Sequence, residues 1–183
     1  MKEYIWGYWR SLYNDIPMYV YVGLFIVLVL SAFFLYVWDK KNYLRKLFGI
    51  LALEYVFLLF CTTVVFRSTE KERLFNIMPF WSYGAYFRGE DFRLLPENMM
   101  NVVVFIPFGV LLGASIRKNS WIRVIIAGCC ISVSIEVLQL VSKRGFCEFD
   151  DVMHNTLGCL IGYGVYRLIF KLVNSKMKRI YGK

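Results

Sequence analysis

The feature that most constrains this chain is a series of five apolar blocks of roughly twenty residues, near 16–38, 47–66, 98–116, 121–141 and 151–173. A helix needs about 20 such residues to cross a hydrocarbon core about 30 Å thick. In lipid, backbone polar groups must be satisfied internally, so spans of this kind are helical. The hydrophobic content is 58%, above the roughly 45–50% of a soluble domain. The expected fold is an all-α, polytopic membrane helix bundle: one membrane domain over 1–183, with about five transmembrane helices. Residues 1–15 are rich in Tyr and Trp, which favour the water–lipid interface, and read as an interfacial N-terminal segment. No cleavable signal peptide is evident.

The net charge of +9 would suggest nucleic acid in a soluble protein. Here the basic residues flank spans and set topology, so no nucleic-acid partner is expected. Lys40, Lys41, Arg45, Lys46, Arg117, Lys118 and the tail after 173 share one side. The N-terminal segment, 67–97 and 142–150 share the other and carry most of the acids. The positive-inside rule then puts the N-terminus outside and the C-terminus in the cytoplasm. Five cysteines, at 61, 129, 130, 147 and 159, form no metal-binding spacing, and neither a metal nor a cofactor is expected.

Chemistry concentrates late in the chain. Glu136 lies inside an apolar block and opens a polar series: Gln139, Arg144, Glu148, Asp150, Asp151, His154 and Asn155. A carboxylate at the centre of a bilayer costs about +2.5 to +3.5 kcal/mol on insertion scales and usually marks a site. Glu136 and Gln139 are i, i+3, and Asp151 and Asn155 are i, i+4, so each pair shares a helix face. The short loop between makes the two helices antiparallel neighbours. Arg144 is the nearest cation in sequence. A plainer reading is a polar clamp, with Glu136 and Gln139 bonded to Asn155 and Asn101, and with Asp150 or Asp151 capping the last helix. His154, the only histidine, is a candidate acid or base beside Asp150, although an interfacial polar role is favoured. Glu54 is a second acid within a span. Pro107 breaks the third span and frees the carbonyl of Val103. Gly109/Gly113 and Gly158/Gly162 permit close helix approach. In 67–97, Pro79 argues against a continuous helix.

Several ordered motifs resemble one family. They are Asn76-Ile-Met-Pro79-Phe80, Asn101 through Pro107-Phe108-Gly109, Glu136-Val-Leu-Gln139, Arg144, and Asp150-Asp151-Val-Met-His-Asn155-Thr156-Leu-Gly158 with Gly162-Tyr163. Together, over about 75–165, they are similar to the VanZ-like family of bacterial integral membrane proteins. Glu148 stands where that family often has Asp, which keeps the charge, and the Tyr/Trp-rich start has no counterpart. The resemblance implies a place in the bacterial cell membrane and a link to low-level resistance to the lipoglycopeptide teicoplanin. It carries over Asn101, Glu136, Gln139, Arg144, Asp151 and Asn155 as the polar positions.

Three functions follow as expectations. The first is binding of a lipid-linked cell-wall precursor or a lipoglycopeptide by an outward polar cluster, with membrane lipids as neighbours. The second is an enzyme acting on a lipid or cell-wall precursor, with Glu136 or Asp151 as the catalytic base. The third is a small proton- or cation-coupled transporter.

Overall fold

The computed structural model describes residues 16–116 and 120–181. Residues 1–15, with the expected interfacial segment, and Arg117, Lys118 and Lys183 lie outside the described residues. The helices are α1 (Met18–Trp38), α2 (Tyr43–Phe60), α3 (Trp81–Phe87), α4 (Leu94–Ser115), α5 (Trp121–Ser142) and α6 (Phe149–Tyr181). All but the short α3 are long and apolar enough to cross a membrane, with the second candidate span running Lys40–Val65. At about 1.5 Å per residue, 22 residues cover about 33 Å, which suits a bilayer core. The chain is a multi-pass membrane helix bundle.

The spans follow the apolar blocks, with three differences. Helix α4 passes through Pro107 without a break, although proline removes one intrahelical donor. The Tyr55 hydroxyl donates to the Val104 carbonyl at 2.7 Å, one residue beyond the carbonyl expected to be freed. Tyr55→Phe should therefore lower stability by about 1 kcal/mol, the net contribution of one such bond, and a thermal melt in detergent would register it. Helix α6 continues to Tyr181 because the basic tail holds no proline or glycine before Gly182. A third element was not expected: β1 (Leu74–Asn76) pairs in parallel with β2 (Phe146–Glu148). The partners are Leu74–Phe146, Phe75–Cys147 and Asn76–Glu148. This ribbon ties the long polar segment to the α5–α6 connection.

The tightest packing is between α4 and α6, where small residues permit it. A Cβ on Gly158 would stand 2.1 Å from the Val102 carbonyl oxygen, one on Gly162 2.1 Å from that of Ile106, and one on Gly109 2.0 Å from that of Cys159. The two backbones are thus in direct contact, as small-xxx-small pairs allow. Ala52, Leu59, Val104, Phe105, Phe108, Val124, Ile135, Cys159 and Tyr163 form the buried core between the helices. Helix α1 carries no buried residue and packs chiefly along α2 and the turn that joins them.

Helix α2 ends in a π-helical turn, Cys61–Val65. Thr62 and Thr63 donate their hydroxyls to the Leu59 carbonyl at 2.9 and 2.7 Å. Widening the last turn leaves carbonyls to be satisfied from elsewhere, and the end of α5 supplies the donors. Gln139 Nε2 reaches the Thr63 carbonyl at 3.1 Å, and Arg144 reaches those of Val64, at 3.2 Å, and Val65.

Candidate functional site

Where α2, α4, α5 and α6 end on the acid-rich side, their polar residues converge on a cavity of about 860 Å³. Helix α4 contributes Glu97, Asn98 and Asn101, α5 contributes Glu136 and Gln139, and α6 contributes Asp151 and Asn155. Glu148 comes from β2, Thr62 and Thr63 from the π-turn, and Arg67 from the segment after it. Val104, Phe105 and Ile135 add apolar wall, and all three belong to the core. The volume lies within the roughly 300–1,000 Å³ of small-molecule sites. Asp91 and Arg93 also line it and pair with each other at 2.7 Å. The Arg93 guanidinium, which bonds the Asp91 carboxylate, pulls that carboxyl down to about 2.

Local geometry explains how each group is held. Glu136 is 4% exposed, and its Oε2 accepts from the Glu148 backbone N–H at 2.9 Å. Asn155 donates to the Ser132 hydroxyl at 2.8 Å. Asn101 of α4 and Asp151 of α6 line the cavity together. The expected clamp from Glu136 and Gln139 to Asn155 and Asn101 therefore has different partners, because β2 and the π-turn reach these side chains first.

Six of the nine residues expected to form the cluster line this cavity: Asn101, Glu136, Gln139, Glu148, Asp151 and Asn155. Arg144, Asp150 and His154 are used elsewhere. Arg144 serves the carbonyls at the end of α2, so the cation that faces the acids is Arg67, which acts electrostatically on Glu136 and Asp151. Asp150 is fully buried. It accepts from the backbone N–H of Phe80 at 2.6 Å, from that of Ser82 at 3.1 Å and from the Ser82 hydroxyl at 2.5 Å. It thus caps α3 across the fold rather than the start of its own helix. Asn98 completes the chain by donating to the Ser82 hydroxyl at 3.0 Å. The Asp150 carboxylate, by accepting from the Phe80 N–H, holds Phe80 in the left-handed region, at φ 60°, a costly conformation for a bulky residue. Asn76 shapes the approach by accepting from the Met78 N–H at 3.0 Å. His154 bonds the Tyr83 hydroxyl at 2.8 Å, which joins it to α3.

Burial gives Glu148 its chemistry. Desolvation, reinforced by the negative charge of Asp151 and then of Glu97 and Asp150, raises its carboxyl from 4.5 to about 8. The folded chain then holds this proton up to about pH 8, whereas the unfolded chain releases it near 4.5. The folded state binds more protons across that window, so its stability falls as pH rises through it. Glu148→Gln should flatten the fall and raise the melting temperature at pH 8 relative to the parent, which thermal melts across the pH range would show. Among the described residues, no group of three or more His, Cys, Asp or Glu side chains is arranged to hold a metal ion.

Sequence comparison agrees with these features. The VanZ/LLP1 family matches residues 46–171, a range that takes in the third and fourth spans, most of the second and fifth, and every cavity residue named above. Protein VanZ of Enterococcus faecium is 30% identical over 105 residues, which cover 57% of this chain and 60% of that protein. The chain thus spans about 60% of the length of this curated relative. No solved structure matches. The matched region covers well over half of the chain, which belongs to the VanZ/LLP1 family.

Proposed function

We propose that this protein is a bacterial envelope protein whose polar cavity opens at the outer face of the cell membrane. There it binds a lipid-linked or lipopeptide ligand, either a lipid-linked cell-wall precursor or a lipoglycopeptide, and lowers susceptibility to teicoplanin. The observation that carries the reading is the convergence of six expected polar positions on one 860 Å³ cavity at the acid-rich end of the bundle. The orientation rests on the Lys/Arg bias of the opposite end. Core residues form part of the wall, which supports binding over conduction through the bundle. An enzymatic reading has support from Glu136 and Asp151, two cavity carboxylates within electrostatic reach of each other. It differs in requiring turnover of the ligand.

The test is susceptibility of a sensitive Gram-positive host that expresses the protein, measured against teicoplanin and vancomycin and compared with empty vector. The expected result is protection against the acylated glycopeptide, with a smaller effect or none on vancomycin. Equal susceptibility of the two strains to teicoplanin would contradict the reading.

A further inference from the structure

The cavity contains a deep hydrogen-bond acceptor that the fold leaves open. Gln139 is 4% exposed. Its Nε2 is committed to the Thr63 carbonyl, but its Oε1 is buried and has no hydrogen-bond partner among the described residues. An unmet buried acceptor costs about 1–3 kcal/mol, so a site that keeps one is shaped for an incoming donor. Glu136 and Asp151 line the same cavity, and the Glu136 carboxylate has received only one backbone N–H.

The opposite charge is exposed. Arg67 is an exposed cavity residue. Its guanidinium lies over Gly145, where an added Cβ would stand 2.9 Å from Nη1 and 3.2 Å from Gln139 Cδ. Gln139 and Glu136 are thus buried, Asp151 is half-buried, and an exposed cation with several donors stands beside the Gln139 amide. A complementary ligand carries a positively charged N–H donor group at its tip and an anion one short link behind it.

We propose that the cavity takes a zwitterionic headgroup, with a terminal primary ammonium on Gln139 Oε1, Glu136 and Asp151 and its adjoining phosphate or carboxylate on Arg67. A primary ammonium offers three N–H donors to the three acceptor side chains. A quaternary ammonium has the same charge and no donor, and an acylated amine keeps one N–H and loses the charge. The order of groups, with ammonium innermost, anion at the rim and acyl chains outside, is that of an aminophospholipid approaching from the leaflet. This inference rests on the part of the proposed function that places a lipid-borne headgroup in the cavity, and it names a membrane aminophospholipid as a ligand beyond the two given there.

Native mass spectrometry of the full chain in mild detergent tests it. The probes are phosphatidylethanolamine, phosphatidylcholine and N-acetyl-phosphatidylethanolamine with matched acyl chains. The ethanolamine lipid should be retained about tenfold more than either of the others, the discrimination expected when buried acceptors would go unmet. Gln139→Leu should abolish that preference. Arg67→Gln, at an exposed position, should weaken retention about fivefold without changing the melting temperature. Displacement by free phosphoethanolamine would show that the headgroup suffices, and its failure to displace the retained lipid would assign the binding to the lipid form. Equal retention of the three lipids, or an unchanged preference in both variants, would overturn the proposal and leave Gln139 Oε1 to solvent. If the lipids are retained equally yet the protein still protects cells from teicoplanin, only the ammonium assignment falls. If protection is also absent, the broader binding reading falls with it.

Discussion

Gly158→Ala should destabilise the bundle by about 1–3 kcal/mol, the usual cost of forcing extra volume into a filled interface, and Gly158→Leu should prevent folding. The new Cβ would stand 2.1 Å from the Val102 carbonyl oxygen and 3.0 Å from Phe105 Cβ. Neither neighbour is the end of a flexible side chain, so relief requires α4 and α6 to move apart. The cavity would open with them, because Asn101 of α4 and Asp151 of α6 both line it. Gly164→Ala is the matched control, since a Cβ there meets nothing within 4 Å. It should be neutral or slightly stabilising, as alanine is the better helix former. Thermal melts of the detergent-solubilised variants, read alongside monodisperse yield, would separate the two outcomes.

Asp150→Ala should be of comparable severity, at about 3 kcal/mol or more. Three donors depend on its carboxylate: two backbone N–H groups and the Ser82 hydroxyl. Bonds to a charged group contribute about 1.5–3 kcal/mol each, and unmet buried donors add their desolvation. The loss would release α3 and the left-handed Phe80 with it. Asp150→Asn keeps one acceptor oxygen and should fall between the parent and alanine. Limited proteolysis within 72–93 is the specific readout, because a detached α3 exposes that segment while the spans remain folded. Equal cleavage rates in parent and alanine variant would show that Asp150 does not hold α3.

These two residues mark where sequence reading succeeds and where it stops. The apolar blocks place the spans because lipid allows few alternatives, and the small-residue pairs mark helices that can approach closely without saying that α4 and α6 are the partners. Side-chain partners are less visible. Asp150, Asp151, His154 and Asn155 look like one series on one helix, but the helix turns them outward in different directions. Asp151 and Asn155 face the cavity, whereas Asp150 and His154 face α3. Nothing local in the chain reveals that α3 packs there. The segment 67–97 has no helical periodicity long enough to read, and its position depends on a three-residue parallel ribbon with β2. For the same reason the sequence points to Arg144, and not to Arg67, as the cation beside the acids. Arg144 is nearer in sequence to the acids, but the widened end of α2 presents carbonyls that take up its guanidinium.

The central claim is that the cavity acids act on a ligand while the acids outside the cavity serve the scaffold or the surface. The most direct measurement is teicoplanin susceptibility of cells expressing the parent, Glu136→Gln, Asp151→Asn, Gln139→Leu and Asp39→Asn at matched membrane abundance. Asp39 pairs with Lys46 at 2.6 Å at the opposite end of the bundle. Protection by the parent and by Asp39→Asn, lost in the three cavity variants while Glu136→Gln and Asp151→Asn melt near the parent and Gln139→Leu falls only by about the 1 kcal/mol of its lost bond to the Thr63 carbonyl, is the predicted result. Full protection by folded cavity variants would contradict the account.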